Sequence, residues 1–348
     1  MRVAIATIRV PFSRGASDTL AAALQGAIQE RGHEAEILAV PFTPSSAAII
    51  PDQMLACRLM QATESSGVTI DRLIGLAFPA TLIPHPAKRL WLDGLYSPAY
   101  RGWAVETGSL RDAAGGAQAR HAIRAADAAA LAESDAVYAV SCRASAQLRA
   151  DASTNASPLY HPPPNADRLA LAEWGDYVLL PDATLTDIWH GPVLDALART
   201  RGPVRACFLG AFATAADETA LMQRAKVPAL YGRLQWHGAA SEAERVALFS
   251  HCLAVVLADP GEGYSYGALE AMLSSKPVVT DMRVADAAEF VVDGQTGVVC
   301  QPGPAALAGA LDRLWADRVC AASLGRAGRE RYADLRLGWD RVVECLLE

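Results

Sequence analysis

The chain has 348 residues, 52% hydrophobic and 20% charged, with a formal net charge of −7; at roughly 100–200 residues per domain this predicts two domains, each with its own core, and excludes a disordered or fibrous chain. The acidic excess falls in the second half: Met1–Ala170 carries 15 basic and 15 acidic residues, Leu171–Glu348 carries 16 and 23. No basic stripe is present to neutralise a phosphate backbone, which excludes nucleic acid as a partner.

Taken in chain order, Arg2–Ile8 is a short apolar run, followed by a polar turn over Pro11–Ser17 and an amphipathic stretch Asp18–Arg31 ended by Gly32. This strand, loop and helix unit recurs as strand Ala35–Val40, helix Pro51–Ser65, strands Asp71–Phe78 and Arg89–Leu92, helix Ala117–Ser134, strand Ala136–Val140 and helix Arg143–Ala150. Such alternation specifies a parallel sheet covered by helices on both faces. The rhythm breaks at Ser157-Pro158-Leu159-Tyr160-His161-Pro162-Pro163-Pro164-Asn165, a stiff proline-rich connector. It restarts with strand Tyr177–Leu180, helix Ile188–Thr200, strand Val204–Leu209, helix Asp217–Arg224, strand Leu234–His237, helix Glu242–Ser250, strand Leu253–Leu257, helix Tyr264–Ser274 and strand Pro277–Thr280. Helices over Ala305–Trp315, Val319–Tyr332 and Trp339–Leu347 follow. The expected division is an amino-terminal domain over 1–160, a linker over 161–173, a second domain over 174–335 and a helix over 336–348 packing back on the first domain. Two doubly wound domains joined by a hinge leave a cleft at the carboxyl ends of their strands, where such folds take ligands.

No run of about 18 apolar residues occurs, and MRVAIATIRV has no basic segment followed by an apolar one. The chain therefore reads as cytoplasmic. The seven cysteines are scattered without a CxxC pair, as expected of reduced and mostly buried thiols, and no histidine pair has zinc-site spacing.

The segment that carries chemistry is Ala258-Asp259-Pro260-Gly261-Glu262-Gly263-Tyr264-Ser265-Tyr266-Gly267-Ala268-Leu269-Glu270, placed after a buried strand and opening a helix. With a helix starting near Tyr264, Glu270 lies about 9 Å along the axis from the loop bearing Glu262. That span suits a diphosphate with a sugar at one end and a ribose at the other. The N–H groups and positive dipole end at Tyr264–Gly267 would face the phosphates, Glu270 would accept from ribose hydroxyls and Glu262 from those of the sugar. Two carboxylates at this spacing also arise as a helix N-terminal charge and a solvated side chain; the flanking Gly261, Gly263 and Gly267 favour the ligand reading.

At these residues the chain resembles the family 4 glycosyltransferases, whose E-x(7)-E signature reads here as Glu262 and Glu270. Further likeness lies in Glu289-Phe290-Val291-Val292-Asp293-Gly294-Gln295-Thr296-Gly297, in His237-Gly238, in the linker Leu159–Pro164 and in Arg31-Gly32-His33-Glu34. The resemblance implies a GT-B α/β fold of two Rossmann-like domains facing across a cleft. It also implies retaining transfer of a sugar from a nucleotide diphosphate sugar to a glycan or lipid-linked acceptor, without a bound metal or cofactor. Polysaccharide assembly with peripheral contact at the inner face of a membrane would suit such an acceptor.

The chain departs from the family where the donor diphosphate normally meets an Arg and a Lys five residues apart. Thr184 and Trp189 stand at those positions. Loss of two cations from a low-dielectric cleft removes several kcal/mol of stabilisation from the developing leaving-group charge, of order 3 kcal/mol per donor. The loop glycines of the family are replaced by Ser13-Arg14-Gly15-Ala16 and by Ala285-Asp286. The candidates to replace the missing cations are Arg14, beside Gly15, and Arg283, whose guanidinium can grip phosphate bidentately; His190, at a helix start, reads either as a further donor when protonated or as a neutral cap. Asp93 stands near the place of the acceptor-side histidine of many relatives, and reads either as the catalytic group there or as a loop cap. Two functions stay open on these residues: an active glycosyltransferase with an altered phosphate grip, or a degenerate GT-B protein that binds a nucleotide or glycan or partners an active enzyme. A nucleotide-sugar epimerase on the same scaffold fits the motifs less well.

Overall fold

A computed structural model describes residues 1–10, 16–43, 47–65, 67–101, 103, 110–182, 184–258 and 264–348. The described residues form two compact units, one of Met1–His161, Tyr264 and Gly338–Glu348, the other of residues 162–258 and 265–337.

In the first unit the strands are β1 (Arg2–Arg9), β2 (Glu34–Pro41), the short hairpin β3 (Glu64–Ser65) and β4 (Val68–Thr69), then β5 (Arg72–Gly75), β6 (Lys88–Leu92), β7 (Ala136–Ala139) and β8 (Ser157–Pro158). All but the hairpin build one sheet in the order β2-β1-β5-β6-β7-β8, with every neighbour parallel. Val3–Ile5, Leu73–Ile74 and Leu90–Leu92 are buried without alternation, the pattern of strands covered on both faces. The helix predicted over Pro51–Ser65 stops at Leu59, because Met60 turns extended (φ −68°, ψ 132°), and the polar tail forms the hairpin instead. Helix Trp339–Leu347 buries Val342, Val343, Leu346 and Leu347 on this unit. Its Trp339 packs edge-on against Trp91 at 6.3 Å, and Arg72 Nη2 donates to the Leu347 carbonyl at 3.0 Å.

The second unit contains β9 (Tyr177–Leu180), β10 (Thr184–Leu185), β11 (Arg205–Phe208), β12 (Ala211–Phe212), β13 (Leu234–Trp236), β14 (Ala254–Leu257), β15 (Val278–Asp281) and β16 (Gly297–Cys300). β10 and β12 pair with each other, and the rest form a parallel sheet ordered β13-β11-β9-β14-β15-β16. Counted along the chain this is the order 3-2-1-4-5-6 of dinucleotide-binding sheets, in which the direction of winding reverses between the first and fourth strands, here β9 and β14. Sheets wound in this order take ligands in a crevice there, at the carboxyl ends. β16 was not expected from the sequence: the Asp293–Gly297 motif is the turn that feeds it, and a Cβ on Gly297 would lie 2.3 Å from the Val278 carbonyl oxygen across the ladder.

One carboxyl lies deep in the first unit. Asp127, on helix Gly116–Ala132, is 2% exposed and accepts from the Tyr100 hydroxyl at 3.0 Å, while the Arg124 guanidinium lies over the Tyr100 ring. Burial raises its pKa to about 7, against the opposing pull of the Tyr100 hydrogen bond and the Arg124 charge. A carboxyl with a raised folded pKa contributes stability in full below its unfolded value of about 4, and loses it as pH rises through the folded value. Wild-type protein should therefore lose stability relative to Asp127→Asn between pH 4 and pH 7.5, read as urea midpoints; parallel pH profiles for the two proteins would contradict a buried carboxyl titrating here.

Candidate functional site

Two side-chain clusters stand at the carboxyl edge of the second sheet. The first is built where β9 ends. Helix Asp187–Leu197 starts from Thr186 (φ −127°, ψ 149°), whose hydroxyl makes no capping bond. The His190 ring takes over that task from inside the first turn: Nδ1 accepts from the Thr186 N–H at 3.1 Å, which leaves the proton on Nε2, donated to Asp182 Oδ2 at 2.9 Å. His190 is fully buried. Of the two roles read for His190, phosphate donor and neutral helix cap, these contacts match the cap, since both ring nitrogens are committed within the protein.

Beside it, Ser241 and Glu244 form a capping box that starts helix Glu242–His251, reciprocally satisfying two backbone donors. The box sets the first turn, and Arg245 follows it. Arg245 Nε donates to Glu270 Oε1 at 2.7 Å and Nη2 to Oε2 at 2.5 Å, with Nη1 3.4 Å from the Pro181 carbonyl oxygen. The guanidinium also lies over the Phe249 ring, 5.1 Å from its centroid. Glu270, on helix Tyr266–Leu273, is 3% exposed. The carboxylate expected to accept from ribose hydroxyls thus already accepts on both oxygens from a protein cation. Gly267 lets this helix approach the sheet: a Cβ there would come within 2.9 Å of Leu257 Cδ2 and 3.2 Å of Pro181 Cγ.

The second cluster lies past β15. The Arg283 backbone N–H donates to Asp281 Oδ1 at 2.8 Å, and its guanidinium pairs with the same carboxylate through Nε at 3.1 Å and Nη2 at 2.5 Å. Its carbon Cζ sits 5.6 Å from the Trp189 ring centroid. Trp189, Leu257, Thr280, Asp281 and Arg283 line a cavity of about 20 Å³, room for about one water molecule. Trp189 thus presents its indole face to an arginine supplied from the segment after β15.

The remaining sequence-derived candidates are distributed as follows. Ser265 and Tyr266 open helix Tyr266–Leu273 half-buried, and the Ser265 hydroxyl does not cap it. Tyr264 belongs to the first unit, where its hydroxyl donates to the His161 carbonyl at 2.8 Å and its ring stacks on His161 at 4.3 Å; the contact expected of it is through its backbone N–H, not this side chain. Asp93 follows β6 in the same unit, half-buried. Glu262, Gly263, Arg14 and Gly15 lie outside the described residues. Glu270, His190 and Arg283 are thus brought to one sheet edge. Arg245 was missed by sequence reasoning, although its spacing of four from buried Phe249 marks it as inward-facing on a helix.

Among the described residues no group of three or more His, Cys, Asp or Glu side chains is arranged to hold a metal ion. None of their helices is long and apolar enough to cross a membrane.

Residues 192–317 match the sequence profile of the family described as "Glycosyl transferases group 1". Together with its structural neighbours this supports a GT-B glycosyltransferase. Sucrose-phosphate synthase from Thermosynechococcus elongatus aligns over 99% of this chain and 96% of its own at 16% identity, with a TM-score of 0.72. A glycosyltransferase from Rickettsia africae aligns over the same shares, 99% and 96%, at 13% identity and a TM-score of 0.72. HepE of Anabaena, solved in complex with UDP, aligns over 99% of both chains at 14% identity and a TM-score of 0.68. These likenesses establish the fold, GT-B with two Rossmann-like parallel-sheet domains. No curated protein matches the chain by sequence.

Because Glu270 is the anchor of a largely buried guanidinium, Glu270→Ala should cost about 3 kcal/mol of stability, the range for removing one partner of a buried pair. The urea midpoint measures it; a loss under about 0.5 kcal/mol, the usual size for a solvated helix surface, would contradict the anchoring role.

Proposed function

We propose that the protein transfers a sugar, with retention, from a nucleotide diphosphate sugar to a glycan or lipid-linked acceptor in bacterial polysaccharide assembly. The work would be done at the cytoplasmic face of a membrane and without a metal or cofactor. One observation carries this reading: the stretch that matches group 1 glycosyltransferases, 192–317, holds Arg245, Glu270 and Arg283 at the carboxyl edge of a sheet wound in the dinucleotide-binding order. HepE was solved with UDP-glucose, which favours a UDP-sugar as donor.

In this reading the donor diphosphate lies at the start of helix Tyr266–Leu273, where orphan N–H groups and the helix dipole favour negative charge. As the bond from the anomeric carbon to the phosphate oxygen breaks, charge builds on the leaving diphosphate. Arg283 stabilises it from the Trp189 face, standing in for the absent Arg and Lys. Glu262 and, on the acceptor side, Asp93 are assigned the roles that the family resemblance gives them.

A second reading, a degenerate protein that binds nucleotide or glycan without turnover, is favoured by the pairing of both edge cations. Arg245 is matched by Glu270 and Arg283 by Asp281, so each site is close to neutral before any phosphate arrives. Nucleotide release from UDP-, GDP- and ADP-sugars without acceptor separates the two. An active enzyme should release nucleotide, and Arg283→Ala should cost about 2 to 4 kcal/mol of transition-state stabilisation, comparable to one preorganised donor. Nucleotide binding with no release from any donor would establish the degenerate reading, and full activity in Arg283→Ala would remove Arg283 from the phosphate grip.

A further inference from the structure

The bidentate pair at the β9–β14 crevice bears on how a nucleoside would be read there. An arginine carries five N–H donors in a rigid plane. Three of Arg245's face acceptors within the protein, two at Glu270 and one at Pro181, which leaves one N–H on each terminal nitrogen. The side chain is 29% exposed. The plane is fixed from below by Phe249 and from the side by Glu270, so its orientation is set before a ligand arrives. A guanidinium held this way loses little entropy on making a further bond.

Its place along the site follows from the helix. Glu270 is four residues beyond Tyr266, about 6 Å along the axis at 1.5 Å per residue. A diphosphate held by the first turn therefore lies a full turn away from the pair, and what reaches Arg245 is the nucleoside end of the molecule.

We propose that Arg245 is a nucleoside-recognition residue of the donor site, offering its two remaining N–H donors to oxygen acceptors on the ribose or base, and that Glu270 acts through Arg245 as a positioning residue. This rests on the nucleotide-sugar reading above and deepens it. It also reverses the polarity assigned to this subsite: the protein presents donors to the nucleoside in place of a free carboxylate that would accept from it. Recognition then favours a nucleoside with carbonyl or hydroxyl acceptors at that edge.

The test compares three kinds of ligand on the intact protein: inorganic pyrophosphate, the nucleosides uridine, guanosine and adenosine, and their diphosphates. Binding is measured by calorimetry or by competition, with thermal melts confirming that each variant is folded. Arg245→Met should weaken the preferred nucleoside and its diphosphate by the same factor, about tenfold to a hundredfold as for hydrogen bonds to a charged group, and leave pyrophosphate unchanged. Arg245→Lys, which keeps the charge but not the planar fork, should recover part of the loss. Glu270→Gln should follow Arg245→Met in direction with a smaller factor, since an amide accepts through a single oxygen. Wild-type affinity for nucleoside in Arg245→Met would overturn the proposal, and a loss in Glu270→Gln alone would return the contact to the carboxylate. Pyrophosphate binding that falls in step with the nucleoside would also overturn it, by showing a general disturbance of the site. If wild-type protein binds no nucleoside diphosphate at all, the nucleotide-sugar reading fails together with this one. If it binds one while Arg245→Met binds it equally well, this inference alone fails.

Discussion

The ion pair between Arg245 and Glu270 joins three pieces of chain that share no sequence neighbourhood: the first turn of helix Glu242–His251, the middle of helix Tyr266–Leu273 and the end of β9. Burying two charges is expensive, and such a pair often does no better for stability than apolar groups of equal volume. What it supplies is position. Two parallel N–H···O bonds fix both the distance and the plane of the guanidinium, and so the rotational setting of one helix against the other. The Thr186 N–H, the His190 ring and the Asp182 carboxylate form a similar chain a few residues away.

That arrangement depends on the strand order beneath it. β9 and β14 are adjacent at the point where the winding reverses, and in sheets of this order polar side chains from the loops can occupy the gap between the carboxyl ends. The apolar burial of Val178–Leu180 and Ala254–Val256 supplies the rigidity. Gly267 supplies the closeness, by letting its helix rest directly on Leu257 and Pro181. The group 1 likeness and the neighbours of known structure agree with this architecture at identities too low for residue roles to be carried over.

Much of this was legible in the sequence. Most helices and strands declared themselves through periodicity, and Glu270 and Arg283 were picked out by spacing and by the loops they sit on. What periodicity could not show were pairings between elements. Arg245 and Glu270 are 25 residues apart, and nothing in either local pattern says that one completes the other. For His190 the sequence offers both a phosphate donor and a neutral cap at the helix start, and the ring folds back to accept from the backbone. The tail after Leu59 contains no glycine or proline before Gly67, so nothing in the local sequence marks the helix end at Leu59. Gly297-Val298-Val299-Cys300 was too short and too glycine-led to stand out as a strand, yet it pairs along its whole length with β15. Lys276 gave no sign of being fully buried with its ammonium 4.0 Å from the Trp174 ring centroid, where lost hydration lowers its pKa to about 8.

The return of helix Trp339–Leu347 to the first unit has a consequence for biogenesis. Ribosomes deliver chain from the amino end, and domains ordinarily fold as they emerge. Here the groove that receives Trp339, formed by Trp91 and His161, and the Arg31 side chain that grips Asp340 at 2.9 Å are made long before their partners. The whole of the second unit is synthesised in between. The earlier-made unit must therefore wait, with an apolar strip uncovered, while the later one can complete its own core first. The strip that Trp339 covers is therefore the last part of the first unit to be closed.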